Sequence, residues 1–391
     1  MIRITKFWRS FRPLGLIGAF YHISIALLPV LYLLWVPGLN LSFGTVILLG
    51  FIPYAFYYIL KGVYVRNSTA VFFFLFYGYL ILRFEGNISR IMLGCSAFLH
   101  LYGMMKGSIN SRKIRNIIEI YSLLNVVLLM TQLVSYYFLH IRLQYIPQQL
   151  IYEEYRNSFV FAEVSGLYRP SALFLEPSHF TQYCIYGLIS TLFPGGQQKI
   201  KLNRAILIGM GCIFTTSGMG IVLTAGVFAW YVILNNQSLY RKILSWLKWI
   251  PLAAVALLVL LQIPFFKVAL QRIFSSVDGY NAIAGRTHNW EDAIGNMNGS
   301  TLLFGYGDQH NYEWYITGFV DTIYKYGVVG VILEALCILN LMAKKIDNYV
   351  WCCCVVFTGL FFVAHLTNFV SHVFYFGIVI ADIIARKEKI Y

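Results

Sequence analysis

Long apolar runs separated by short polar clusters dominate the chain. Windows at 14–36, 41–60, 69–83, 88–106, 116–140, 178–194, 204–216, 217–234, 248–264, 314–343, 348–366 and 369–385 are nearly free of charge. A helix needs roughly twenty such residues to cross about 30 Å of hydrocarbon. The pattern predicts an all-α polytopic integral membrane protein of about twelve transmembrane helices, a single membrane domain over 1–391. The pieces at 69–83 and 204–216, and the split at Ser217-Gly218, are short for full spans. Two connections are long, at about 141–177 and 264–313. Loops of that length are uncommon unless they carry function. The basic stretch Met1–Pro13 leads into a long apolar run without a small-residue cleavage site, so it does not read as a signal peptide.

Composition agrees: 59% of residues are hydrophobic, 17% aromatic and only 12% charged, against roughly 25% charged in soluble domains. The net charge of +14 raises the question of nucleic acid, and its distribution answers it. Arg3, Lys6, Arg9 and Arg12 precede the first span, and Lys61 and Arg66 follow the second. Lys106, Arg112, Lys113 and Arg115 follow the fourth, and Lys199, Lys201 and Arg204 the sixth. Further clusters at Arg241, Lys242, Lys248, at Lys344, Lys345 and at Arg386, Lys387, Lys389 keep the alternation. Basic residues in alternate loops mark a cytoplasmic face, which predicts both termini inside, contact with anionic lipid heads and no nucleic-acid partner. The opposite face receives the two long loops. They hold Glu153, Glu154, Glu163, Glu176, Asp278, Glu291, Asp292, Asp308 and Glu313, but only Arg142, Arg156, Arg169, Lys267, Arg272 and Arg286 as cations.

Ionisable groups at the edge of a bilayer are costly and are therefore functional candidates. The segment LYRPSALFLEPSHFTQY gathers Arg169, Glu176 and His179. Arg169-Pro170 ends an extended piece. Glu176-Pro177 starts a helix, because proline fits the first helical position, and Glu176 then sits near the positive end of the helix dipole. Either Glu176 supports the helix end and pairs with Arg169, or Arg169 binds an anion through its planar fork of donors.

A second group lies in GRTHNWEDAI and LFGYGDQHNY. Arg286 precedes a short amphipathic stretch, and Gly305-Tyr306-Gly307 predicts a tight turn that leads directly to Asp308, His310 and Asn311. A histidine near neutral pKa can take a proton from a hydroxyl. The alternative is an interfacial histidine hydrogen-bonded to Asp308 or Asn311. The glycine pair is no nucleotide fingerprint, since no parallel strand precedes it.

Other polar groups have structural readings. Asp321 and Lys325, four apart, share a helix face and neutralise each other or line a polar cavity. His365 and His372 flank Asn368 at the last hairpin, and His22 and His100 read as packed. All seven cysteines fall in predicted spans, so no disulfide framework is expected. Cys352–Cys354 point three ways and cannot chelate one metal; packing is their role. No spacing suggests a metal site or cofactor. Tyrosines and tryptophans are expected at membrane interfaces, but Tyr168, Tyr280, Trp290, Tyr306 and Tyr312 decorate the long loops, which also suits stacking on sugar rings.

At these residues the chain resembles the bacterial O-antigen polymerase (Wzy) and O-antigen ligase superfamily. Arg169 with Leu173-Phe174-Leu175-Glu176-Pro177 is similar to its R…F.EP segment, and Thr216-Ser217-Gly218 to a polar step that follows. Gly285-Arg286 with Trp290 resembles GR…W; Gly305-Tyr306-Gly307 with His310-Asn311 resembles G.G…HN; Tyr326-Gly327 with Gly330 resembles YG..G. The motifs cover about Leu167–Leu336. No matching pair of R-x15-G elements is found, since neither Arg169 nor Arg286 has glycine sixteen residues on.

The resemblance implies a GT-C-like helical glycosyltransferase in the bacterial inner membrane, using polyprenyl-diphosphate-linked oligosaccharide on the periplasmic side without a metal. It implies a polymerase that joins repeat units, with Arg169 and Arg286 on the diphosphate and His310 as the base, Glu176 being its rival. His179, Asp308, Asn311 and Tyr306 are secondary candidates, and a chain-length regulator protein is an implied partner. A ligase moving polymer to lipid A core is the nearest alternative. A flippase for the same lipid-linked sugar belongs to another class, and such transporters have two related halves around a midplane site; no internal duplication is found in this chain.

Overall fold

In a computed structural model, residues 13–39, 41–61, 68–151, 163–164, 167–194, 199–235, 289–308, 310, 312–313, 316, 318–343, 348–363 and 369–387, with isolated positions 251, 255, 262 and 267, are described. Most of the predicted span 248–264, much of the two long loops, and the candidates Arg286 and Asn311 lie outside them.

The described chain is helical almost throughout: α1 Pro13–Ala26, α2 Leu28–Leu33, α3 Phe43–Gly50, α4 Ile52–Lys61, α5 Ser68–Leu82, α6 Ile88–Met105, α7 Ser111–Leu139, α8 Pro177–Leu192, α9 Leu202–Phe214, α10 Gly218–Asn235, α11 Trp290–Gly295, α12 Gly299–Phe304, α13 Gly318–Met342, α14 Asn348–Val363 and α15 Phe369–Lys387. A minimal antiparallel pair, Glu163–Val164 with Leu167–Tyr168, precedes α8. Among the described residues four stretches are long and apolar enough to cross a membrane: Phe43–Lys61, Ile88–Met105, Ser111–Leu139 and Gly318–Met342. Shorter apolar helices accompany them, which is compatible with a membrane-embedded protein.

The windows 14–36 and 41–60 each form two helices, interrupted at Leu27 and at Phe51. A third interruption bears on the site: Gly327, with φ 68° and ψ −177°, leaves helical geometry inside α13.

Helices buried all round form the centre of a bundle. In α8 every residue except His179 and Gln182 is buried, and α15 is buried from Phe369 to Ile384. Small residues let neighbours approach: a Cβ on Gly187 of α8 would lie 2.3 Å from Ser122 Oγ on α7, and one on Gly220 of α10 would lie 2.3 Å from the Cys212 carbonyl on α9. One apolar core runs through these helices, from Tyr21 to Ile384.

The direction of the central helices follows from their contacts. Tyr183 of α8 stacks on Phe374 of α15 at 5.7 Å, and Tyr186 meets Tyr375 at 5.2 Å. Past the end of α8, the Phe193 carbonyl accepts from Arg115 at 3.3 Å, and Arg115 also binds Asp382 of α15. The two helices therefore run side by side in one direction. At their starting end Phe369 packs on Phe84, at 5.3 Å. The far end is a basic rim with its own ion pairs: Ser111 donates to Asp382 at 2.8 Å, Arg115 stacks on Tyr349 at 3.5 Å, and Glu119 binds Lys201 (2.6 Å) and Arg204. His22 and His100 are packed as expected, His100 between Tyr21 (3.0 Å) and the Leu48 carbonyl (2.7 Å).

Candidate functional site

The turn predicted at Gly305-Tyr306-Gly307 forms, and α13 is what holds it. Because Gly327 breaks the helix, the carbonyls of Tyr324 and Lys325 accept from Tyr306 N (2.8 Å) and Gly307 N (3.0 Å). Buried backbone groups must find such partners. The Tyr79 hydroxyl donates to the Tyr326 carbonyl at 2.7 Å, from the side of α5. Gly305 and Gly307 have φ of 77° and 104°, a region that glycine enters without steric cost.

This turn meets the connection between α5 and α6 together with the first residues of α6, RFEGNISR. Arg83 donates to the Gly305 carbonyl at 2.8 Å, and Asp308 N donates to the Arg83 carbonyl at 3.0 Å. Asp308 is buried; it accepts from the Tyr326 hydroxyl at 2.5 Å and pairs with Arg90 Nε at 3.3 Å. His310 is 54% exposed at its side chain, with Nδ1 3.8 Å from Glu85 Oε2. The Tyr306 ring lies beside the imidazole, centroids 6.2 Å apart, and its hydroxyl donates to the Asn296 carbonyl at 3.2 Å. Lys325 is neutralised by Asp321 at 3.1 Å, the pairing expected from their spacing. Asp308 thus bonds to Arg90 and Tyr326, while the partner of His310 is Glu85.

Arg169, Glu176 and His179 form a separate group at the start of α8. Gln132 of α7 accepts from Ser171 N (3.2 Å) and Ala172 N (2.8 Å), and Asn125 accepts from Leu173 N (3.2 Å), so two side chains of α7 cradle this loop. Pro177 opens α8 as predicted. Glu176 is exposed and accepts from Ser178 Oγ at 3.0 Å, while Arg169 and His179 are half-buried. Tyr168 stacks on Tyr136 with centroids 4.4 Å apart, and burial pushes its hydroxyl up to about 12, so it stays a neutral hydrogen-bonding group at physiological pH.

Tyr306, Asp308 and His310 therefore belong to one cluster, and Arg169, Glu176 and His179 to another. Both lie at the same end of the bundle: α8 and α15 begin there, and Phe84 of the Arg83–Arg90 connection packs on Phe369. Arg83, Glu85 and Arg90 were not among the sequence candidates. Their signal is a short connection with two arginines where the charge alternation predicts an outer loop. No cluster of three His, Cys, Asp or Glu suited to a metal occurs among the described residues. Chemically, the arrangement offers an accessible imidazole at the same end of an apolar bundle as several guanidinium groups. No family model matches the chain, and no curated protein matches it.

Proposed function

We propose that the protein is a membrane glycosyltransferase that joins polyprenyl-diphosphate-linked oligosaccharide repeats into polysaccharide at the extracytoplasmic face of the bacterial inner membrane. One observation carries this: an exposed imidazole, His310, shares an end of the bundle with the guanidinium groups of Arg83, Arg90 and Arg169, opposite the ion-paired basic rim of Arg115, Lys201 and Arg204. No nucleotide is available outside the cell, so the donor arrives activated by its diphosphate. Arg169 and Arg286 bind that group and stabilise the charge that develops as it leaves. Arg83 joins them, because its bond goes to a carbonyl and no carboxylate pairs with it among the described residues. His310 takes the proton from the acceptor hydroxyl, the oxygen attacks the anomeric carbon, and polyprenyl diphosphate departs. The tyrosines around the turn stack on the sugars, and a chain-length regulator is the expected protein partner.

The test is made in cells. Arg169→Ala, Arg286→Ala and His310→Ala should each abolish long-chain polysaccharide while the protein stays in the membrane. A normal ladder of chain lengths in these variants contradicts the assignment.

A further inference from the structure

We propose that Glu85 is the positioning residue for His310: its carboxylate holds the Nδ1 edge of the imidazole and thereby aims Nε2 at the acceptor hydroxyl. The inference rests on His310 acting as the base.

Three independent features place Glu85 in that role. The first is backbone conformation. Glu85 has φ 49° and Gly86 φ 80°, with Asn87 N donating to the Phe84 carbonyl at 2.9 Å. Such a tight turn wants glycine, asparagine or aspartate at its centre. A glutamate held there is conformationally costly, and strain of this kind collects at functional sites.

The second is fit. A Cβ on Gly307 would lie 2.1 Å from Glu85 Oε1, so the carboxylate occupies the space that only a glycine leaves. Turn and carboxylate are shaped to each other, one residue before Asp308 and three before His310.

The third is the allocation of charge. Arg90 pairs with Asp308, Arg83 donates to the Gly305 carbonyl, and Lys325 pairs with Asp321. The described partner of Glu85 is the imidazole, Oε2 to Nδ1 at 3.8 Å. That is beyond hydrogen-bond distance; a shift of about 1 Å in ring or turn makes it a hydrogen bond, and catalytic contacts commonly tighten in this way with substrate bound.

A carboxylate at Nδ1 keeps the proton on that nitrogen and leaves the Nε2 lone pair for chemistry. In the step, the acceptor O–H proton moves to Nε2, and the oxygen pair forms the new bond to the anomeric carbon. The bond from that carbon to the phosphate oxygen breaks with its electrons on the diphosphate. The imidazolium so formed lies against Glu85, which never touches the substrate.

Full-length protein in lipid nanodiscs would be assayed on a polyprenyl-diphosphate-linked repeat purified from cells lacking the protein. The variants are Glu85→Gly, Glu85→Gln, His310→Ala and the Glu85→Gly/His310→Ala pair. Glycine suits the turn, so Glu85→Gly should melt no lower than the parent yet lose at least about tenfold in kcat, with KM within about twofold. Glu85→Gln keeps an acceptor oxygen and should fall between the two. In the His310→Ala background, Glu85→Gly should add nothing. Glu85→Gly at the parent rate, a loss that tracks melting temperature, or an equal further loss in the double variant overturns the positioning role. His310→Ala at the parent rate instead overturns the assignment of the base.

Discussion

Gly305 and Gly327 pass one another with no room for a side chain on either. A Cβ on Gly305 would lie 2.2 Å from the Lys325 carbonyl oxygen, and one on Gly327 would lie 2.2 Å from that of Leu303. Two segments far apart in sequence are thereby clamped backbone to backbone, and the clamp fixes where the chain to His310 emerges.

Alanine at either glycine should therefore unlock the turn. Left-handed strain alone costs about 1–3 kcal/mol, and the displaced backbone adds to it. Gly305→Ala and Gly327→Ala should both lower the thermal midpoint and reduce polymer formation. Gly299→Ala, whose Cβ meets nothing within 4 Å, is the control. Equal midpoints for all three would show that the clamp carries no load.

Arg83 should matter to chemistry more than to folding. Losing a donor that stabilises a leaving group costs about 10²–10³ in rate, whereas the bond to the Gly305 carbonyl is worth only about 1–3 kcal/mol of stability. Arg83→Ala should lose turnover by that factor, with a stability loss confined to about 1–3 kcal/mol. Arg83→Lys should recover it only in part, because an ammonium lacks the planar fork. Parent-like turnover in Arg83→Ala would remove it from the site.

Asp308 separates two contributions. Asp308→Asn keeps an acceptor for the Tyr326 hydroxyl and gives up an ion pair whose Arg90 side chain is 45% exposed, so it should cost about 1 kcal/mol or less. Asp308→Ala leaves the buried Tyr326 hydroxyl unsatisfied, at about 1–3 kcal/mol. Chemical or thermal unfolding of the two variants measures the difference; identical midpoints would place the weight elsewhere.

Much of the helical frame was legible in the sequence, because charge-free runs punctuated by polar clusters leave little freedom. The window 88–106 became Ile88–Met105, and 178–194 became Pro177–Leu192. The interruptions at Leu27 and Phe51 are marked by Pro29, by Gly50 and by Pro53, but a proline within an apolar run does not say whether a span kinks or splits into two helices. Gly327 was visible as part of a motif, but its consequence was not: a single glycine within an apolar run does not say whether the helix bends, continues or breaks. In the site, Tyr306, Asp308 and His310 were legible from the glycine turn beside them. Arg83, Glu85 and Arg90 were not, since a connection of a few residues reads as a link between spans until tertiary packing brings Gly305–His310 against it.

A further prediction concerns the interior. Glu334 of α13 and His372 of α15 are 1% and 3% exposed, with Nε2 3.6 Å from Oε1. Removing one partner leaves the other polar group buried alone and costs about 1–3 kcal/mol, whereas replacing both with apolar residues of similar shape can be nearly neutral. His372→Leu should therefore destabilise by about that amount, and Glu334→Leu/His372→Leu should recover most of the loss. If the two changes simply add, the pair is not coupled.

The most direct measurement supplies purified protein in nanodiscs with a polyprenyl-diphosphate-linked repeat and no other acceptor. A ladder of lengthened lipid-linked chains, with polyprenyl diphosphate released for each bond and no ladder from His310→Ala, is the expected result. Transfer only when lipid A core is added would indicate a ligase. Movement of intact substrate between leaflets without bond formation would indicate a flippase, and either outcome would contradict polymerisation.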